Sequence, residues 1–171
     1  MTDFQKRRQW SDKYVSQIKQ ILAQYLFFTN EEEDIHHNAD LLVDASRIML
    51  RVRQYKFYLN HPFDFTIRTN SKQISELSKI LEGFGDYMFY GFTNEDESAI
   101  YKWWIGDMDV FRRWYNAGGA KFDLYHNQIS GEDFAVFNIF DLPDDFIIGT
   151  NFVVYSGKVG DALDKNNYDL H

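Results

Sequence analysis

Apolar residues recur every three or four positions in two segments of the chain, which is the spacing of one face of an α-helix. The first segment follows Ser11, a typical N-cap residue, so we expect a helix to begin there after a short basic arm. Its apolar stripe consists of Tyr14, Val15, Ile18, Ile21, Leu22, Tyr25 and Leu26. The second segment follows Asn70 and Gln73, whose spacing resembles a capping box, and it ends at Gly83. The sequence therefore predicts two amphipathic helices.

Other segments alternate between apolar and polar residues, or are apolar throughout, as β-strands do. The segments expected to form strands are 39–43, 47–55, 63–67, 86–92, 100–105, 134–140 and 151–155. The first two predict a hairpin with its turn at 44–46, and the apolar segment 86–92 indicates a strand covered on both faces. After the strand at 100–105, Asp107 is expected to cap a short helix that ends at Gly118.

In chain order, these elements read helix, three strands, helix and strand, followed by an extra strand, a short helix and further strands. This order predicts the α/β (α+β) class: a single domain with a central mixed β-sheet flanked by helices. We expect the domain to span residues 1–160 and the polar residues 161–171 to form a frayed tail. With 16 Phe, 11 Tyr and 4 Trp among 171 residues, the core is expected to be built on large rings.

The residue types that are present exclude some classes of chemistry. The chain has no cysteine, which excludes disulfide bonds, thiolate zinc sites and a cysteine nucleophile. It begins without the apolar run of a signal peptide, and no stretch approaches the roughly 18 apolar residues of a membrane span. We therefore expect a cytoplasmic protein with no membrane partner.

The formal net charge of −8 is unevenly distributed. Up to Gly85 the chain has 12 Lys and Arg against 11 Asp and Glu, a net +1, whereas from Asp86 onward it has 6 against 15, a net −9. Carboxylates repel polyphosphate, so we expect any nucleic-acid contact to lie in the first half. The acidic residues of the second half are also typical of solvated loops.

Polar side chains in the first half indicate a phosphodiester site. Asp40 opens the predicted hairpin, and polar residues share one face of its second strand and one face of the strand that follows. Metal-dependent phosphodiester chemistry requires carboxylates on adjacent strands to hold the cation, and a nearby positive charge to stabilise the phosphorus centre. The layout predicts Mg2+ held by Asp40 and Asp64, with Arg53 as the catalytic cation. The residues expected to contact nucleic acid are Arg51, Arg53, Arg68 and Lys72.

The order of elements from Ser11 to Phe92 resembles the core of the PD-(D/E)XK nuclease-like superfamily. In that core, an Asp near a hairpin turn and a Glu-x-Lys on the next strand form the metal site. Asp40 matches the Asp by position, Arg51-Val52-Arg53 stands where Glu-x-Lys is expected, and Asp64-Phe65-Thr66 is the displaced substitute. The resemblance implies a nuclease-like, nucleic-acid-associated protein. Segments 65–68 and 82–92 are also similar to uncharacterised proteins of phages and prophages, which implies the host cytoplasm.

Two alternatives stay open at the level of sequence. The polar strand faces are also typical of a solvated lattice of cross-strand charges that does no chemistry. In the alternative function, the protein is non-enzymatic and uses its acidic second half to inhibit a basic nucleic-acid-binding or defence protein of the host. Aromatic residues at 87–92 and 101–104 indicate core, whereas rings exposed together would mark a protein-binding patch. The sequence leaves open whether the protein is an enzyme and how many copies associate.

Overall fold

The chain contains both helices and strands, as the sequence predicts. The computed structural model describes residues 3–26, 46–69, 75–128 and 130–152. Its helices are α1 (Asp3–Asp12), α2 (Val15–Leu26), α3 (Tyr55–Asn60), α4 (Glu76–Leu81) and α5 (Met108–Asn116). Its strands are β1 (Ile48–Arg53), β2 (Asp64–Arg68), β3 (Tyr87–Thr93), β4 (Ile100–Asp107), β5 (Asp123–Asn127), β6 (Glu132–Asn138) and β7 (Ile147–Thr150). The predicted α/β class is confirmed, and the predicted tail at 161–171 lies outside the described residues.

The described strands are divided between two sheets. The first has the order β1-β3-β4-β7 and is mixed, because β1 runs parallel to β3 while the other neighbours are antiparallel. The second is antiparallel and has the order β2-β6-β5. The predicted mixed sheet flanked by helices is confirmed. Strand β2 does not extend the sheet of β1, because it belongs to the second sheet and packs its apolar face against the first.

The larger core lies between the two sheets and consists mainly of rings. Alternate residues of β3 and β4, among them Tyr90 and Trp104, point into it, and Phe65 and Phe137 enter from the second sheet. Tyr90 and Trp104 stack with ring centroids 5.1 Å apart, and Phe65 lies 5.3 Å from both Trp104 and Phe137. Offset and edge-on ring pairs of this kind add stabilisation beyond the burial of their area.

The opposite face of the first sheet is covered by α2. Within the predicted stripe, Tyr14, Ile18 and Leu22 are buried, and Tyr14 and Ile18 pack with Phe89 and Trp103. Since β3 is covered by α2 on one side and by the second sheet on the other, it is apolar on both faces, which confirms that prediction. The dense aromatic residues of β3 and β4 are therefore mostly core.

Two predictions about helix starts are wrong. Ser11 does not cap α2, because α1 runs past it and its hydroxyl donates to the backbone carbonyl of Arg8 at 2.9 Å, as serines inside helices do. The cap of α4 is Ser75, whose hydroxyl accepts from Ser78 N at 3.0 Å. By contrast, Asp107 caps α5 as predicted, accepting from the backbone of Asp109 and Val110. Asn70 and Gln73 lie outside the described residues.

Several strand boundaries also differ from the expectation. The strand predicted to reach Tyr55 ends at Arg53, and α3 begins at Tyr55, whose N–H donates to the buried hydroxyl of Thr93 at 3.1 Å. The last described strand is β7, and Asn151 and Phe152 form a bend after it, where the Asn151 side chain accepts from Trp103 N at 2.9 Å. Residues 153–155 of the predicted strand 151–155 lie outside the described residues. Strand β5 was not expected, and the predicted strand at 39–43 lies outside the described residues.

Candidate functional site

The two arginines of β1 point toward the second sheet. Val52 packs under α2 and Met49 packs in the core between the sheets, so alternation places Arg51 and Arg53 on the side of the second sheet. Arg53 Nη1 lies 3.4 Å from Thr66 Oγ1 of β2. The structure therefore brings these arginines close to the polar residues of β2, although the two strands belong to different sheets.

Arg51 forms the centre of a polar cluster that we call the arginine seam, which consists of Arg51, Arg53, Thr66, Arg68 and Glu76. One guanidinium nitrogen, Arg51 Nη2, donates to both carboxylate oxygens of Glu76 at 2.6 Å. Glu76 Oε2 also accepts from the backbone N–H of Arg68 at 3.1 Å. Glu76, in the first turn of α4, thus joins β1 of one sheet to the outer edge of β2 in the other.

The electrostatics of the seam favour a permanently charged pair. Burial alone would raise the pKa of Glu76, but the charge and hydrogen bonds of Arg51 outweigh burial and lower that pKa below its usual range. For Arg51, burial opposes the charged form, and Glu76 more than compensates, so the pKa of Arg51 is raised. Only 18% of the Arg51 side chain and 29% of the Glu76 side chain are exposed. Arg51 is consequently held by the fold and presents little of its charge to a phosphate.

The other two predicted arginines are held less completely. Arg68 Nε lies 3.2 Å from Glu132 Oε1, so its charge is balanced. The guanidinium of Arg53 lies over the ring of Phe57, with Cζ 4.2 Å from the ring centroid. Its Nε is buried and has no hydrogen-bond partner among the described residues. Arg68 Nε is likewise buried without a hydrogen-bond partner among the described residues, so both arginines keep unused donor capacity. Lys72 lies outside the described residues.

Asp64, the predicted metal ligand, lies at the start of β2. Its Oδ1 accepts from Asn138 Nδ2 at 3.1 Å, and its Oδ2 lies 3.1 Å from His61 Nδ1. Asp40, its predicted partner, lies outside the described residues. Within the described ranges, no group of three or more His, Asp or Glu side chains is arranged to hold a metal ion. The described residues alone do not make up the Mg2+ site, which stays a prediction.

Asp64 belongs to a different feature that the sequence did not indicate, an acidic cleft of about 220 Å3. The lining residues are Asp64, Lys121, Phe122, Asp123, Val136, Phe137, Asn138 and Asp141. Asp64 is opposite Asn138 in the sheet and Asp123 is opposite Val136, so the cleft lies on the outer side of the second sheet. Three carboxylates and one ammonium group line it, which gives it a negative charge.

The cleft adjoins the outer edge of β5. Strand β5 pairs with β6 on one side, and no described strand covers its other side. Its first four residues are exposed, with Leu124 at 72% and Tyr125 at 56%. Nearby, the half-exposed ring of Phe122 stacks on Tyr115 with centroids 6.2 Å apart. Apolar groups and carboxylates are thus exposed together along one open strand edge.

The sequence does not indicate strand β5, because none of its first four residues is buried and its residues therefore show no alternation of apolar and polar positions. Two turn signals flank it, and these could have indicated a hairpin strand. Gly118 has a φ of +77° after α5, and Gly131 has a φ of +67° in the turn before β6. Exposed rings lie here at Phe122 and Tyr125, whereas the rings of β3 and β4 are mostly buried apart from Tyr101.

In the part of the chain that the structure describes, no helix combines the length and apolar character needed to cross a bilayer. Comparison of the chain with protein-family models, with curated proteins and with solved structures found no match.

Proposed function

We propose that this protein is a non-enzymatic binding module that captures an extended, basic segment of a partner protein along the outer edge of β5. The observation that carries the proposal is the open edge lying beside an acidic cleft. Nucleic-acid-binding proteins carry basic segments, and a segment held here would no longer contact nucleic acid. If the chain is of phage type, as its resemblance implies, the partner is a host factor that it inhibits.

The strand edge favours an extended partner. An edge strand presents unpaired N–H and C=O groups, which a second chain can satisfy by adding one more strand. The outer edge of β2 offers less, because Glu76 already accepts from the N–H of Arg68 there. No described strand pairs with the outer edge of β5.

The charge around β5 favours a basic partner. Asp64, Asp123 and Asp141 line the cleft, with Lys121 as the one cation of the lining. This part of the chain also belongs to the half with net charge −9. Complementary charge steers a partner to the surface and selects against acidic competitors.

Peptide binding tests the proposal. Labelled peptides about six residues long, the usual length of a strand, are titrated with the protein while fluorescence anisotropy is recorded. We expect peptides of Leu and Arg to bind one to one and peptides of Leu and Glu to stay free. The affinity for the arginine peptides should fall as NaCl shortens the screening length to about 8 Å or less.

Leu124→Lys and Ile148→Lys are a matched pair of variants for this measurement. Both replace an exposed apolar residue on an edge strand, on β5 and on β7 respectively. Leu124→Lys places positive charge in the proposed site and should abolish binding, whereas Ile148→Lys should leave binding unchanged. Equal binding to both variants, or no binding of any peptide to the wild type, would contradict the proposal.

A metal-dependent nuclease is the second candidate function, and the buried Nε of Arg53 without a described partner is the observation that favours it. In this function, Asp40 and Asp64 hold Mg2+ and Arg53 stabilises the charge that develops at phosphorus. Nicking of plasmid DNA in Mg2+ by the wild type, Asp40→Ala and Asp64→Ala tests it. The binding module predicts three inert proteins; nicking that both substitutions abolish would overturn it in favour of the nuclease.

A further inference from the structure

The edge of β5 presents two chemically different rows of side chains. Directly opposite residues of an antiparallel pair share a face of the sheet. Leu124 is opposite Ala135, which is buried in the core, so Leu124 lies on the core side. Asp123 is opposite Val136 and therefore lies on the outer side, where the acidic cleft is.

The row on the core side begins with apolar residues, and His126, which follows Leu124 on this side, pairs with Asp133. Phe122 precedes Leu124 on this side, and its ring lies 5.2 Å from Phe137 of the core and 6.2 Å from Tyr115 of α5. Both Phe122 and Leu124 are exposed, so this row continues the core out to the surface of the protein. An added strand at the usual spacing of about 4.8 Å would cover it.

The row on the outer side is acidic and aromatic after Lys121, which stands at its start. Asp123 and Tyr125 occupy alternate positions of β5, and Tyr125 is opposite Phe134. An arginine on the adjacent strand can pair with a carboxylate and lie over a tyrosine ring at the same time. Asp64 and Asp141 add negative charge on the same side through the cleft.

Resting on the proposed function, we infer that the captured segment is an amphipathic strand in which apolar side chains alternate with Arg or Lys. Side chains of a strand point to opposite faces with a period of two. In the captured strand, apolar residues meet Phe122 and Leu124, and basic residues meet Asp123 and Tyr125. A run of basic residues alone would place half of its charges against the apolar row.

A second copy of this chain fits the edge poorly. Antiparallel pairing of two β5 strands about a two-fold axis normal to the sheet keeps the outer side of both copies on the same side. The Asp123 carboxylates and the two acidic clefts would then lie on one surface, where they repel each other. The structure therefore favours a basic segment of another protein over self-association.

Two peptides of equal composition test the alternation. One alternates Leu and Arg, and the other has its Leu residues in one block and its Arg residues in another. We expect the alternating peptide to bind about tenfold or more tightly, which corresponds to about 1.4 kcal/mol. Equal affinity would overturn the inference and leave the proposed function standing, whereas failure of both peptides to bind would contradict the proposed function itself.

Reversing the charge of Asp123 tests whether the acidic row selects the basic residues of the captured strand. Asp123→Lys is expected to lose the alternating Leu and Arg peptide and to gain affinity for an alternating Leu and Glu peptide. Glu95→Lys, which changes the same charge on an exposed residue of the β3–β4 turn, should keep the wild-type preference. Unchanged preference in Asp123→Lys would overturn the inference. Wild-type protein that sediments as a dimer, and as a monomer after Leu124→Lys, would also overturn it, because a second copy would then occupy the edge.

Discussion

The arginine seam and the β5 edge both place polar groups at the margin of a sheet, yet one is closed and the other open. In the seam, Glu76 holds Arg51 and the free N–H of β2 at once. Along β5, the exposed groups include Leu124 and Asp123, and no described strand covers them. A charged strand face is thus available to a ligand only where the fold has not already paired its charges.

Two residues at the same level of the second sheet, one on each edge strand, differ in burial. Ile67 of β2 and Leu124 of β5 are both opposite Ala135, on the core side of the sheet. Ile67 is fully buried, whereas 72% of Leu124 is exposed. The same kind of side chain thus stabilises the fold at one edge and is available to a partner at the other.

The largest expected effect comes from this pair. Ile67→Ala removes buried methyl groups and leaves a cavity, which should lower the free energy of unfolding by about 3 kcal/mol. Leu124→Ala shortens a side chain that is mostly in solvent, so it should change the free energy of unfolding by less than about 0.5 kcal/mol. Urea denaturation measures both. Similar losses in the two variants would mean that the β5 edge is as well covered as the β2 edge.

Breaking the seam should cost nearly as much. Glu76→Ala leaves Arg51 charged, largely buried and unpaired, so we expect a loss of about 3 kcal/mol, at the low end for a buried ion pair because both side chains retain some exposure. Glu82→Ala, at the exposed C-cap of α4, is the control and should be nearly neutral. If Glu76→Ala were as stable as the wild type, the seam would not be the closed region of this comparison.

The same pair predicts a dependence of stability on pH. Because the pKa of Glu76 is lowered in the folded protein, its contribution is fully present above the unfolded pKa of about 4.5 and is lost as pH falls through the folded value. Stability of Glu76→Gln should therefore decline less steeply below that pH than stability of the wild type. Denaturation curves recorded at several pH values check this, and parallel declines would contradict it.

The smallest effect is expected at the partly exposed end of the seam. Arg68→Gln removes the ion pair with Glu132 and should cost up to about 1 kcal/mol. Arg113→Gln removes the more exposed pair with Asp145, whose atoms are 3.9 Å apart, and should cost close to nothing. Thermal denaturation of the two variants measures the difference. A larger loss of stability in Arg113→Gln than in Arg68→Gln would show that the ion pair in the seam is not the better held of the two.

Sequence periodicity predicted the elements that bury a regular face. Strands β3 and β4 and helix α2 were found in this way, because their apolar positions follow the period of a strand or a helix. Helix α1 was missed since it is polar on almost every side. Helix α3 was missed because its aromatic residues favour strands and its start depends on Thr93, which is distant in the chain.

The candidate site was predicted less well, and for a related reason. The sequence shows that Arg51 and Arg53 share a strand face, but it does not show that Glu76 returns to neutralise Arg51. Likewise, the exposure of β5 depends on which strands end the second sheet. Residue types reveal which groups can do chemistry, whereas tertiary pairing decides which of them are left to do it.

The path of the chain has a consequence for how this protein forms. Between β1 and β7, the described chain passes from one sheet to the other four times, since β2 and then β5 and β6 interrupt the first sheet. Neither sheet is therefore formed by one continuous segment of the chain that could fold independently. Such long-range pairing slows folding. Assembly of the two layers is expected to be a single, slow and mutually dependent event.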